Sequence, residues 1–416
     1  MKKNSNLQSK NGQTKKGQQT KVAKARGPVR RESKEVMAEL VAKLSGKLQA
    51  EAAQEKARQE NPQGEYAPNR DRLTVGVDLG DQWSNYCILG LEGETLAEGQ
   101  FRTRREEVAE FFRALARARV IFEVGTHSAW VREVVLGCGH EVLVANPRLM
   151  DGTKRRKRKN DRIDAHKLAR LGRVDPQSLF PMEHRSREVR QDLVVLRARD
   201  ALVSMRTQLI NTTRGLVKSM GARLSQCSSA SFPDKVEEEL PAEVRAALLP
   251  LVRLVEELSD RIKVYDVSIE KLCREKYEKT ELLRQVKGVG PLTSLAFMLT
   301  LENPGRFEKS RDVGAYLGLV PQQGDSGEIQ PQLPISRTGD VMLRRLLVGS
   351  AHYILGPFGP DTDLRRYGQR LSERGGKNGK KRAAVAVARK LSVLLHRLWV
   401  SGEVYEPLRH APPAAA

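Results

Sequence analysis

Aromatic residues make up only 5% of this 416-residue chain, and cysteine occurs four times. Cys87, Cys138, Cys227 and Cys273 lie far apart with no CxxC pair, which excludes a disulfide framework and a zinc-finger spacing. No apolar run reaches the ~18 residues of a membrane-spanning helix, and the N-terminus lacks the apolar stretch of a signal peptide. The seven histidines (His127, His140, His166, His184, His352, His396 and His410) show no ligand spacing with the cysteines, so none is assigned to a metal. Acids are scarce beside bases: 51 Asp and Glu against 73 Lys and Arg leave a net charge of +22. The chain therefore reads as a reduced, intracellular, non-membrane protein whose excess charge suits a polyanion, nucleic acid before acidic lipid. Its length allows two to four domains at ~100–200 residues each.

The first thirty residues hold nine basic side chains and no acid, with polar fillers and no apolar face to bury. Residues 1–66 are accordingly expected to be a basic, largely disordered extension. A compact α/β unit follows over 67–182. Leu73, Val75 and Val77 alternate as a strand ending at Asp78, and runs at Asn85–Leu91 and Thr95–Phe101 follow. Strand Val120–Phe122, ending at Glu123, and strand Glu141–Ala145 are interleaved with helices at Glu106–Arg117 and Ala129–Leu136. Three strands and then alternating strand and helix describe a mixed sheet flanked by helices.

From 183 to 280 the pattern changes to heptads. Val195, Ala198, Leu202, Met205, Leu209, Thr212 and Leu216 recur by three and four, as do Leu251, Val255, Leu258, Ile262, Tyr265, Ile269 and Leu272. Two such seams around the polar break Ser225–Pro233 predict an antiparallel helical hairpin or coiled coil; two ordinary amphipathic helices on a core are the alternative. Residues 281–408 read as mainly helical, with helices at Val341–Leu355 and Lys377–Val400, and 409–416 as a disordered tail. Gly288-Val289-Gly290 sits between two helices like a helix-hairpin-helix turn whose amides can face a phosphate, although a plain tight turn has the same pattern.

Four acids stand at element ends. Asp78 and Glu123 terminate strands, and Asp161 and Asp164, three apart, open a helix and share one of its faces. Taken singly, Asp161 can serve as a dipole-facing helix charge and Asp164 as a surface ion-pair partner. Taken together they form an oxygen-donor set suited to Mg²⁺, and two such ions ~4 Å apart would stabilise the attacking and leaving oxygens of phosphoryl transfer. Between Glu123 and this pair lie Arg148 and the run Lys154, Arg155, Arg156, Lys157, Arg158 and Lys159, which beside a metal cluster makes a clamp for a phosphate backbone. Further phosphate contacts are expected at Arg337, Arg344, Arg345, Lys377, Lys380, Lys381 and Arg382, with Arg344 and Arg345 alternatively a solvated helix face.

Val77-Asp78-Leu79-Gly80, Glu123-Val124-Gly125, Asn146-Pro147 and Asn160-Asp161-Arg162-Ile163-Asp164-Ala165 resemble the DEDD transposases of the insertion-sequence one-ten group, including its one-eleven-eleven subgroup. The C-terminal half resembles it too, through Gly288-Val289-Gly290, Tyr316 to Pro321, Ser326-Gly327, Ile335 to Asp340 and Leu343 to Leu347. The series runs in order from about Leu73 to Pro407; the basic extension lies outside it. The resemblance implies an RNase H-like, RuvC-like catalytic domain (67–182), a long coiled-coil insertion (183–280) and a mainly α C-terminal transposase domain (281–408). It implies that Asp78, Glu123, Asp161 and Asp164 are the acidic tetrad, a set that would hold two Mg²⁺ ions per site, and that a serine forms a 5′-phosphoserine link to DNA. Ser326, before Gly327, matches the family's position; Ser336 is the competitor, and either can instead be a turn-former. The implied partners are double-stranded target and donor DNA, a structured noncoding guide (bridge) RNA, and further copies of the chain in a tetramer built as a dimer of dimers. The implied setting is the bacterial cytoplasm, at the nucleoid. A junction-resolving nuclease of the same fold with water as nucleophile, and a non-enzymatic nucleic-acid scaffold, are the other readings.

Overall fold

The computed structural model describes residues 72–147, 149–150, 161–322, 324, 333–376 and 378–409, without the side chain of Asp161. The expected basic extension, Arg148, the run 154–159, Ser326, Lys377 and residues 410–416 lie outside the described residues. The chain divides into two compact units, one ending at His184 and the other starting at Arg185.

The first unit is built on a five-stranded sheet: β1 (Leu73–Asp78), β2 (Trp83–Leu89), β3 (Thr95–Arg102), β4 (Ala118–Glu123) and β5 (Glu141–Ala145). The order is β3-β2-β1-β4-β5, with β1, β2 and β3 antiparallel and β1, β4 and β5 parallel. The hairpin β2–β3 closes through Gly93, whose φ of 86° is the left-handed backbone that glycine tolerates. Period-two alternation sends Leu73, Val75, Val77, Val120 and Phe122 to one face, where they pack with helices α1 (Arg105–Arg113) and α2 (Ser128–Gly137). The opposite face is covered by α3 (Asp161–Val174). This is the expected mixed sheet, consistent with an RNase H-like domain.

The second unit is helical. Its two long helices, α4 (Arg187–Ser219) and α6 (Ala242–Glu275), pack side by side, with α5 (Phe232–Glu239) between them in sequence. They are antiparallel: Lys276 pairs with Asp192 at 2.6 Å, Arg199 with Asp266 at 2.5 Å, and Arg206 donates to Ser259 at 3.1 Å. On α6 the predicted seam holds, with Val255, Leu258, Ile262 and Ile269 buried. On α4 it does not. Leu193, Leu196, Thr213 and Val217 are buried there, while Met205 and Leu216 are 50% and 47% exposed. Arg199 and Arg206 occupy the inward register instead, the first paired with Asp266 and the second donating to the Ser259 hydroxyl, and a count of apolar residues passes over such positions. Beyond the pair, α7 (Thr280–Arg284), α8 (Pro291–Leu301), α9 (Asp312–Tyr316), α10 (Val341–Leu355), α11 (Asp363–Glu373) and α12 (Gly379–Ser401) complete the unit. Every residue of α8 from Thr293 to Leu301 is buried, so this helix forms the centre of the core. Among the described residues no helix is long and apolar enough to cross a membrane.

Inside the first unit, His140 is buried between α1 and β4. The Ala118 amide donates to its Nδ1 at 3.1 Å, so the ring proton sits on Nε2 and is donated to the Phe112 carbonyl at 2.7 Å. Burial lowers its pKa from the ordinary 6.5. A second ring proton would face the Ala118 N–H. The neutral ring's contribution is therefore complete above pH 6.5, the ordinary value, and is lost as the pH falls below it, because the unfolded chain takes up the proton first. Chemical denaturation followed between pH 7.5 and 5 is expected to show stability falling with pH, and His140→Asn to flatten that dependence while lowering stability at pH 7.5. Equal slopes in the two proteins would contradict this.

Candidate catalytic carboxylate site

β1 and β4 run parallel and pair from Leu73–Ala118 to Val77–Phe122. One step further, at their carboxyl ends, Asp78 and Glu123 stand on neighbouring strands. Asp78 alternates with Gly76, and Glu123 with Ile121. Both of those inner residues lie under α3. A Cβ on Gly76 would come within 2.0 Å of the Ala165 carbonyl oxygen and 2.4 Å of the Ala169 amide nitrogen. A Cβ on Gly172 would meet Ile121 at 2.3 Å. Asp78 and Glu123 consequently belong to the α3 face of the sheet, the first half-buried and the second exposed.

The direction of α3 fixes the rest. Arg173, near its C-terminus, donates to the Leu91 carbonyl in the β2–β3 turn, at the amino end of β1. The helix thus runs antiparallel to β1, and its first turn, with Asp161 and Asp164, lies toward the end where Asp78 and Glu123 stand. Asp164 accepts from Lys167 at 3.0 Å, the surface ion pair that its spacing allowed, and its side chain remains 30% exposed. These four side chains offer only oxygen, the donor chemistry that hard divalent cations take. Around the same sheet end, Asn85, opposite Asp78 on β2, accepts from Gln100 at 2.8 Å. His127 accepts from the Trp130 indole at 3.1 Å through Nδ1 and approaches Asp81 at 3.4 Å through Nε2. Neither Asn85 nor His127 carried a sequence signal.

In the second unit, the segment containing Ser326 leaves and re-enters a pinned base. Pro321 and Ile335 form a β-bridge, and the Gln322 amide donates to the Pro334 carbonyl at 2.8 Å. Ser336 is part of that base: its amide donates to Val320 at 2.8 Å and its hydroxyl lies 3.1 Å from that of Thr338. Arg337 adopts a φ of 56°. Arg344 braces the same region, donating to the carbonyls of Leu317 at 3.0 Å and Thr338 at 2.7 Å, and Arg345 pairs with Asp200. Gly288, with a φ of 95°, faces the Tyr353 ring, while a Cβ on Gly290 would meet nothing within 4 Å. Lys380, Lys381 and Arg382 are exposed in the first turn of α12, which holds no acid. Three cations at the positive end of a helix raise the local potential rather than offset it, an arrangement suited to phosphate.

Among the described residues, the one group of three ligand-type side chains whose donor atoms lie within 4.8 Å of one another is not among these acids. It is Cys87, Glu98 and His166, on β2, β3 and α3. Linear spacing had left these residues unassigned.

A mixed sheet with strand-end acids, joined to a helical unit, is the frame of a DNA-processing enzyme, and comparison with known proteins specifies it. A model for the DEDD transposase domain of the IS110 type matches residues 75–221, and one described as the IS116/IS110/IS902 family of transposases matches 280–362. The chain is 29% identical over 352 residues to the transposase for insertion sequence element IS1111A of Coxiella burnetii, covering 81% of this chain and 92% of that one. It is 27% identical over 341 residues to a probable family 20 transposase of Pseudomonas aeruginosa, covering 80% and 98%. The two matched regions together span more than half of the sequence, and the chain belongs to the IS110 family of transposases. It is a DNA transposase, and its DEDD domain implies dependence on a divalent cation.

The contact at Gly76 sets where α3 sits. Gly76→Val is expected to overpack a backbone-to-backbone contact and cost about 3 kcal/mol, measured by urea denaturation. DNA strand transfer should fall with it, at temperatures where the variant is still folded. A variant of native stability and activity would show that α3 is not seated as described.

Proposed function

We propose that this transposase is an RNA-guided recombinase that moves its own element through a covalent serine–DNA intermediate. The reading is carried by one observation: Asp78 and Glu123 end adjacent parallel strands on the face covered by α3, whose first turn brings Asp161 and Asp164 toward the same end. These four residues would hold two Mg²⁺ ions, which supply charge neutralisation for the phosphodiester under attack. Ser326 Oγ attacks the phosphorus and its proton passes to a carboxylate. The O–P bond forms, the P–O3′ bond breaks, and the departing 3′ oxygen takes up a proton. Between the two serines, Ser326 is favoured because the Ser336 hydroxyl is already engaged beside Thr338 in the base of the segment.

The positive run 154–159, Arg148, Lys377 and the first turn of α12 supply backbone contacts to target DNA, donor DNA and guide RNA, with Gly288-Val289-Gly290 and Arg337 as further contacts. Arg344 acts by holding the base of the serine segment. The chain works as a tetramer in the cytoplasm, on the nucleoid. The α4 heptad stripe supports the oligomer: Met205 and Leu216 are exposed in the single chain, where a helix of a second copy can cover them.

Two measurements test this reading. Incubating the full chain with its element ends, guide RNA and Mg²⁺ is expected to yield a protein–DNA adduct that survives denaturing electrophoresis. Ser326→Ala should abolish the adduct while changing DNA affinity by less than about threefold, and Asp78→Ala should abolish both adduct and strand transfer. An adduct persisting in Ser326→Ala would move the nucleophile elsewhere; strand cleavage by the wild type with no adduct at any time would favour the water-using nuclease. For the oligomer, light scattering of a Met205→Glu, Leu216→Glu double variant should show a smaller particle than the wild type with helix content retained. An unchanged mass would place the interface on another surface.

A further inference from the structure

The structure assigns a second cation site to the first unit, for a zinc-like transition metal held by Cys87, Glu98 and His166. Cys87 on β2 and Glu98 on β3 are direct cross-strand partners, on the face that α3 covers. α3 lays His166 over them, and the three donor atoms lie within 4.8 Å of one another. Donors around a tetrahedral zinc ion lie ~3.4–3.8 Å apart, so closing the set takes side-chain adjustments of about 1 Å.

The donor chemistry selects the metal. A thiolate and an imidazole with a single carboxylate form a mixed, softer set than Mg²⁺ accepts, and one that zinc favours. A supporting shell is present. Arg162 donates to Oε2 of Glu98, and the Thr95 hydroxyl lies 3.5 Å from His166 Nε2. Such outer partners orient ligating groups and hold them in place. Cys87 is fully buried, and burial, then the charge of Glu98, pushes its thiol up to about 11. Binding therefore releases that thiol proton to solvent as the S–Zn bond forms. Thr95, beside His166, is exposed, and a water would complete the coordination.

The consequence is mechanical. The ion would fasten α3 to the β2–β3 hairpin one turn from the acids that α3 carries, so the helix would be held by a bond as well as by packing. These three residues form the site on their own, independently of the serine mechanism.

Cobalt(II) added to the metal-free full-length protein is expected to produce a thiolate-to-cobalt charge-transfer band saturating at one ion per chain. Zinc should bleach the band, and millimolar Mg²⁺ should leave it intact. Cys87→Ser should remove the band, and His166→Ala, at a half-buried position where folding is retained, should weaken zinc binding by about 100-fold or more. Asp78→Ala should leave the band unchanged. The proposal is overturned if the wild type gives no band, if the band survives Cys87→Ser, if His166→Ala binds zinc like the wild type, or if Asp78→Ala abolishes it. In those cases Cys87 is a small apolar core residue and Glu98 the ion-pair partner of Arg162.

Discussion

The first unit depends on a missing side chain. At Gly76 the backbone of β1 approaches the backbone of α3 so closely that no Cβ fits, and Ala165 and Ala169 are the residues that permit the approach from the helix side. Helix-on-sheet packing ordinarily leaves room for side chains from both elements; here the layer is compressed along one line. That line runs directly below Asp78. Compression lowers the first turn of α3 toward the strand ends, and the acids on the two elements come to one region without any contact between them having to form first. The site is thus a product of packing, not of ionic attraction, as like charges require.

The energetics agree with that order of events. Two carboxylates at the ~4.8 Å spacing of neighbouring strands repel by of the order of 1 kcal/mol in water and 3 kcal/mol at the effective dielectric of a protein surface. The exposure of Glu123 keeps the pair near the lower figure. Apolar burial on the other sheet face, from Val75, Val77, Val120 and Phe122 against Phe112 and Val131, is worth ~1.5–3 kcal/mol for each large side chain. Packing exceeds repulsion several-fold. The two strand-end acids can therefore stand side by side before a cation arrives.

Much of this was legible in the sequence because the sheet is made of short apolar runs between glycines. Strand Glu141–Ala145 and helix Val341–Leu355 have the bounds that pattern predicts, while the second strand begins at Trp83, two residues before the alternation becomes apparent. Other elements were hidden for physical reasons. Pro233 reads as a breaker in a polar stretch, yet proline is well placed in the first turn of a helix, where α5 uses it. In α11 only Leu364 and Gly368 are buried, so its apolar signal is too thin to show a period. The α4 seam was misplaced because arginines with partners across the helix pair behave as interior residues. The Cys87–Glu98–His166 group was invisible because strand pairing and helix packing, not spacing along the chain, create it.

The serine segment illustrates a different division of labour. A nucleophile on a loop is adaptable but costly to position, and closing a loop of about ten residues costs ~2 kcal/mol in entropy before any contact rewards it. In this chain the closure is already made: the Pro321–Ile335 bridge and the Gln322–Pro334 hydrogen bond hold the two ends together, and Arg344 ties the flanking turns at Leu317 and Thr338 to α10. α10 in turn packs on α8, which is buried from Thr293 to Leu301. Rigidity therefore passes from the core of the unit to the base of the segment. The carboxylates, by contrast, sit on strands and a helix. The proposed reaction divides its parts along the same line: the carboxylates on the sheet and its helix would supply the fixed electrostatic environment, and the segment held on this pinned base would supply the nucleophile.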